Sequence, residues 1–72
     1  HNTLKQGHTG TFVRNLQTDI NFTGGGNCGT PDGVFGPNTK EGVKQYQGNR
    51  GLSVDGEAGY STKTKLWYEI GF

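Results

Sequence analysis

The sequence predicts an all-α fold, a compact three-helix domain, and three observations carry that prediction. Apolar residues recur at steps of three and four in three separate segments. Glycine, 14 of 72 residues, falls mostly between those segments. A nine-residue pattern occurs twice, each time just ahead of a helical segment. The one cysteine, Cys28, excludes an internal disulfide, so a small core and its turns must hold the fold.

The first helix is expected over roughly Thr9 to Phe22. Phe12, Val13, Leu16 and Ile20 then share one face, His8 or Thr9 caps the start, and Gly24, Gly25 and Gly26 end it. The second is expected over Pro37 to Asn49. Pro37 suits the first turn, where its missing N–H costs nothing, and Val43 and Tyr46 supply the apolar stripe. Gly42 costs this helix about 1 kcal/mol relative to alanine, and marks either a close approach or a tolerated flaw. Gly51 and Leu52 fit a Schellman ending. The third helix is expected over Tyr60 to Ile70, with Thr62, Leu66 and Ile70 on one face. Leu52-Ser53-Val54 is a strand-like strip at most.

The repeat reads D-G-x-x-G-x-x-T-K. It runs from Asp32 to Lys40 and again from Asp55 to Lys63. Asp32-Gly33 and Asp55-Gly56 are tight-turn pairs, in which the carboxylate bonds a backbone N–H ahead of it and glycine takes positive φ. Gly36 and Gly59 stand at the helix mouths, where a side chain is expected to crowd the turn. Thr39 and Thr62 can bond back to the incoming loop. Phe35 and Ala58 hold equivalent inward places. A fainter echo relates Val13, Leu16 and Gln17 to Val43, Tyr46 and Gln47.

Several function classes are excluded. The formal net charge is +1 and the seven basic residues are dispersed, so no basic face for nucleic acid is expected. No apolar run approaches membrane-spanning length. His1, His8 and Cys28 do not make a zinc site, and Val34 stands where a calcium loop needs an oxygen ligand. Gly24 to Gly29 matches G-x-G-x-x-G only formally, since a helix precedes it and Pro31 follows. It reads as a flexible surface loop carrying an exposed Cys28. Asn21-Phe22-Thr23 is a formal glycosylation sequon. No acid–base pair or activated nucleophile stands out. No catalytic residue, metal or cofactor is therefore expected. The start at His1, without methionine, reads as a piece of a longer protein.

The order of these motifs resembles one family. Leu4-x-x-Gly7-x-x-Gly10-x-x-Val13-x-x-Leu16-Gln17 is similar to the opening of the peptidoglycan-binding domain family, and Ile20-Asn21-x-x-Gly24 to its next element. Asp32-Gly33-x-Phe35-Gly36-x-x-Thr39, then Val43 and Tyr46-Gln47, resembles its middle. Gly51-Leu52-x-x-Asp55-Gly56-x-x-Gly59-x-x-Thr62, then Leu66, resembles its end. The resemblance covers residues 4–66 of a single domain spanning 1–72. It departs at Gly24 to Pro31, longer and richer in glycine than the usual link, and at Tyr46 and Ala58.

The resemblance implies a non-catalytic module that binds bacterial peptidoglycan, through glycan strand, stem peptide or both. It implies a linked cell-wall hydrolase such as an amidase or endolysin, in an extracellular, cell-wall setting of bacterial or phage origin. The alternative is a structural or docking domain that positions the catalytic domain without touching glycan. The candidate ligand residues are Arg50, Trp67, Tyr60 and Gln47. Arg50 offers a guanidinium to a stem-peptide carboxylate. Trp67 is partial core, ligand platform or a contact to the linked domain. Gln47 either meets ligand or ties two loops together from inside, and Tyr60 either meets ligand or covers the second loop.

Overall fold

The computed structural model describes residues 3–71. The elements are α1 (Thr11–Thr23), α2 (Pro37–Asn49) and α3 (Tyr60–Glu69). Among the described residues the only β pairing is two isolated bridges, Leu4 with Ala58 and Thr9 with Val34. The fold is therefore all-α, and α1 packs against both other helices. Val13, Leu16 and Ile20 from α1 meet Val43 and Tyr46 from α2 and Leu66 from α3. Phe35 and Ala58 close this core from the two loops, both almost completely buried.

The repeated loops are built alike, and each is clamped by a buried glutamine. Asp32 Oδ1 accepts the Val34 N–H at 2.9 Å, and Asp55 Oδ1 accepts the Glu57 N–H at 2.9 Å. Gly33 and Gly56 take φ of 81° and 75°, the left-handed region where a Cβ is strained. Gln17 Nε2 donates to Asp32 Oδ1, the Val34 carbonyl and Thr39 Oγ1, while its Oε1 accepts the Gly33 N–H. Gln47 Nε2 donates to Asp55 Oδ1, the Glu57 carbonyl and Thr62 Oγ1, while its Oε1 accepts the Asp55 and Gly56 N–H groups. The echo between Gln17 and Gln47 thus marks one device used twice. Residues 3–10 lie across both loops. Leu4 exchanges backbone bonds with Ala58, and Gly7, His8 and Gly10 bond Phe35 and Gly33.

Several expectations are corrected. α1 starts two residues late, because Gly10, at φ 121°, is its N-cap and neither His8 nor Thr9 caps it. Phe12 is 79% exposed; it lies at the edge of the apolar stripe, outside the core. Gly36 and Gly59 have extended backbone, φ −103° and −88°. A Cβ on Gly36 would meet nothing within 4 Å, and one on Gly59 only Thr3 Oγ1 at 3.5 Å, so neither turn is crowded.

Cys28 is buried, at 2% exposure, and burial pushes its thiol up to about 11. The segment around it is a fastened cap. Asn21 takes the Cys28 N–H on Oδ1 and donates Nδ2 to the Gly29 carbonyl, a use of its amide that competes with glycosylation. Asn49 and Gln45 hold Gly25 and Asn27 onto α2. Gly42 marks the close approach: its Cβ would lie 2.5 Å from Cys28 Sγ and 2.8 Å from the Asn27 backbone.

The α2 ending forms as expected, with the Leu52 N–H on the Gln47 carbonyl at 2.9 Å and the Gly51 N–H on that of Gly48 at 3.4 Å. Leu52 packs against the core.

Candidate ligand groove

Two helices present matching stripes beside the core. On α1 these are Phe12, Asn15, Leu16 and Asp19; on α3 and its C-cap, Lys63, Leu66, Trp67 and Ile70. Both sets follow i, i+3, i+4, i+7, so each occupies one helix face. The segment from Thr3 to Thr9, pinned by its bonds to the two loops, forms the third side. Together they enclose a groove of about 1210 Å³. Leu4, Leu16, Leu66 and Ile70 make its apolar floor, and Phe12 and Trp67 its aromatic walls. Polar groups stand at the rim: Lys5, His8, Asn15, Asp19 and Lys63. An apolar floor with a few polar groups around it is the usual form of a site for a mixed ligand.

Trp67 is the one residue of the expected ligand set that lines this groove; it is half-buried. Gln47 is 1% exposed, and its amide is consumed by the second loop, so the inside tie holds and it is unavailable to ligand. Arg50 is not free as expected. Its Nε donates to Glu69 Oε1 at 2.7 Å, its Nη2 pairs with Glu69 Oε2, and its guanidinium carbon sits 5.0 Å from the Tyr46 ring centroid. The Arg50 bond, with Tyr46 Oη donating as well, holds the Glu69 carboxyl down at about 2. Desolvation, then Glu69, pushes the Tyr46 phenol up to about 12. Arg50 thus ties the end of α2 to the end of α3. Tyr60 is exposed at the first position of α3 and does not line the groove.

Phe12, Asp19, Lys63 and the Leu4 segment were missing from the expected set. The signal for the first three was present as the same i, i+3, i+4, i+7 spacing, one stripe over from the core. A second, shallower concavity of about 450 Å³ lies between Asn21, the Gly24–Gly26 backbone, Asn27, Gln45 and Asn49, and is lined by neutral carboxamides.

Residues 9–66 match the family described as "Putative peptidoglycan binding domain". The zinc D-Ala-D-Ala carboxypeptidase of Streptomyces albus G is 41% identical over 66 residues, 90% of this chain and 26% of that protein. The spore cortex-lytic enzyme of Oceanobacillus iheyensis is 40% identical over 63 residues, 88% of this chain and 22% of that protein. The chain thus spans about a quarter of the length of these curated relatives. Among solved structures, the SleB N-terminal domain superposes with a TM-score of 0.86 at 36% identity, covering 93% of this chain and 90% of that one. The Burkholderia AP3 phage endolysin gives 0.82 at 32% identity, covering 90% of this chain and 24% of that one. The match across residues 9–66, on a fold shared in detail with these structures, means that the chain belongs to the peptidoglycan-binding domain family.

Proposed function

We propose that this chain is a non-catalytic module that binds bacterial peptidoglycan in the groove between residues 3–9, α1 and α3, and so anchors a linked cell-wall hydrolase to its substrate. The observation that carries the reading is the pair of aromatic walls, Phe12 and Trp67, over an apolar floor with hydrogen-bonding and charged groups at the rim. Phe12 is 79% exposed and lies outside the core, so its ring is presented to the groove without being needed for the packing of the fold. The names of the relatives support the setting, outside the cell in contact with bacterial wall, in proteins of bacterial or phage origin. The linked hydrolase is proposed by analogy with those longer proteins.

The test is co-sedimentation of this 72-residue chain with purified sacculi. The parent should pellet with them. Phe12→Ala and Trp67→Ala should each weaken binding by about 1–2 kcal/mol, roughly five- to thirtyfold. Phe12→Ala should keep its melting temperature, since that ring is outside the core. Failure of the parent to pellet would leave the docking alternative, in which the same aromatics face the linked domain.

A further inference from the structure

Asp19 is the one carboxylate among the residues that line the groove. Asp19 lies on the groove stripe of α1, half-buried, one turn beyond Asn15 and Leu16. Among the described residues no hydrogen bond or ion pair reaches its carboxylate. The other shifted carboxylates are all held: Asp32 by Gln17 and the Val34 N–H, Asp55 by Gln47 and the Glu57 N–H, Glu69 by Arg50 and Tyr46. Those three are shifted down. Asp19 alone is shifted up, by desolvation with nothing to offset it. A half-buried carboxylate without a partner costs folding free energy, so its use lies in what enters the groove.

Peptidoglycan offers two kinds of surface. The glycan strand is a run of N-acetylated sugars, neutral and without a cation. The stem peptide carries small methyl side chains, carboxylates and, where it is not cross-linked, the side-chain amine of a diamino acid. Resting on the reading of the groove as the peptidoglycan site, we infer that Asp19 receives a primary ammonium, and that the part of the wall held in the groove is the stem peptide through that diamino acid. The remaining groove chemistry agrees. Leu4, Leu16 and Ile70 provide a floor for methyl groups, and Lys5 puts positive charge on the same rim for the peptide carboxylates. An ammonium could also come from an amino sugar that has lost its acetyl group, and the test separates the two.

The experiment is calorimetric titration of the 72-residue chain and its Asp19→Asn variant with a soluble disaccharide-peptide released from sacculi, before and after acetylation of its free amine. Either change alone should weaken binding about tenfold or more, as for loss of a charge-assisted hydrogen bond. The two together should cost no more than one. Asp19→Asn should melt no lower than the parent, because no bond within the domain is lost. Equal affinity of parent and variant, or of free and acetylated amine, overturns the inference while sacculus binding by the parent leaves the groove reading standing. Displacement of the disaccharide-peptide by peptide-free, partly de-N-acetylated glycan strands, dependent on Asp19, would assign the ammonium to the sugar and overturn the stem-peptide assignment. A parent domain that binds neither sacculi nor the disaccharide-peptide removes the inference together with the reading beneath it.

Discussion

Changing Gln47 to glutamate keeps the shape of the side chain and reverses the sense of its hydrogen bonds. In the parent, Nε2 donates at 2.8 Å to Asp55 Oδ1, at 2.8 Å to the Glu57 carbonyl and at 3.0 Å to Thr62 Oγ1. The Thr62 hydroxyl can turn and donate to the new oxygen; the carboxylate and the carbonyl cannot. Two acceptors then face a third inside a site that is 1% exposed. Each orphaned buried group costs about 1–3 kcal/mol, and an uncompensated buried charge about 3–5 kcal/mol. A loss of about 4 kcal/mol is comparable to the whole margin of a domain of this size, roughly 3–5 kcal/mol. Gln47→Glu should therefore be mostly unfolded at pH 7 by circular dichroism and urea titration. The new carboxyl has its pKa raised in the folded state, so the variant should regain stability as pH falls from 7 towards 5, where the parent is flat. Gln47→Leu should be destabilised without that pH dependence. Gln17→Glu should repeat the behaviour at the first loop, where Nε2 has the same three kinds of partner. A Gln47→Glu variant within about 0.5 kcal/mol of the parent at pH 7 would refute the clamp.

Three further outcomes follow from the packing and the charges. Gly42→Ala gains about 1 kcal/mol of helix propensity but drives a methyl into Cys28 Sγ and the Asn27 backbone, an overpacking of about 1–3 kcal/mol, so the urea midpoint should fall. Adding Cys28→Ala should restore only part of the loss, because the backbone contact persists, and full restoration would place the strain on the sulfur alone. Gly33→Ala, forced to φ near 81°, should lose about 1–2 kcal/mol, whereas Gly36→Ser should be neutral or stabilising, since that N-cap makes no side-chain bond and serine supplies one; thermal melts that rank them the other way would reverse the account of the loops. Glu69, Asp32 and Asp55 are all lowered on folding, so their stabilisation is complete above ordinary carboxylate values and is lost as pH falls through the folded ones, to about 2 for Glu69. The melting temperature should hold from pH 7 to about pH 5 and then fall, less steeply in Glu69→Gln, and an unchanged slope in that variant would remove Glu69 from acid unfolding.

Local physics was legible in the sequence and distant complementarity was not. The bounds of α2 could be read because Pro37 and the Gly51-Leu52 ending act within a few residues of themselves. The two loops could be read because the repeat states their turn chemistry twice. The start of α1 slipped by two residues because glycine at Gly10, and not a hydroxyl, ends the incoming chain. Phe12 reads as part of the same apolar face as Val13, Leu16 and Ile20 because a periodicity of three and four does not separate adjacent faces of one helix. Cys28 looked exposed because its burial depends on the hollow at Gly42, fourteen positions away and on another element. Arg50 looked free because its carboxylate partner, Glu69, lies nineteen positions on. The groove itself needed the packing of α1 on α3, so its aromatic walls could be listed from the sequence only one at a time.

The binding surface is the claim that most needs a measurement, and backbone amide chemical shifts of the unmodified domain, titrated with soluble fragments of digested sacculi, address it directly. The account predicts saturable shifts centred on residues that line the groove, Phe12, Asn15, Asp19, Lys63 and Trp67, with Arg50 and the carboxamide concavity from Gly24 to Asn27 undisturbed. Shifts centred on Arg50 and Gly24 to Asn27, with the groove silent, would contradict it.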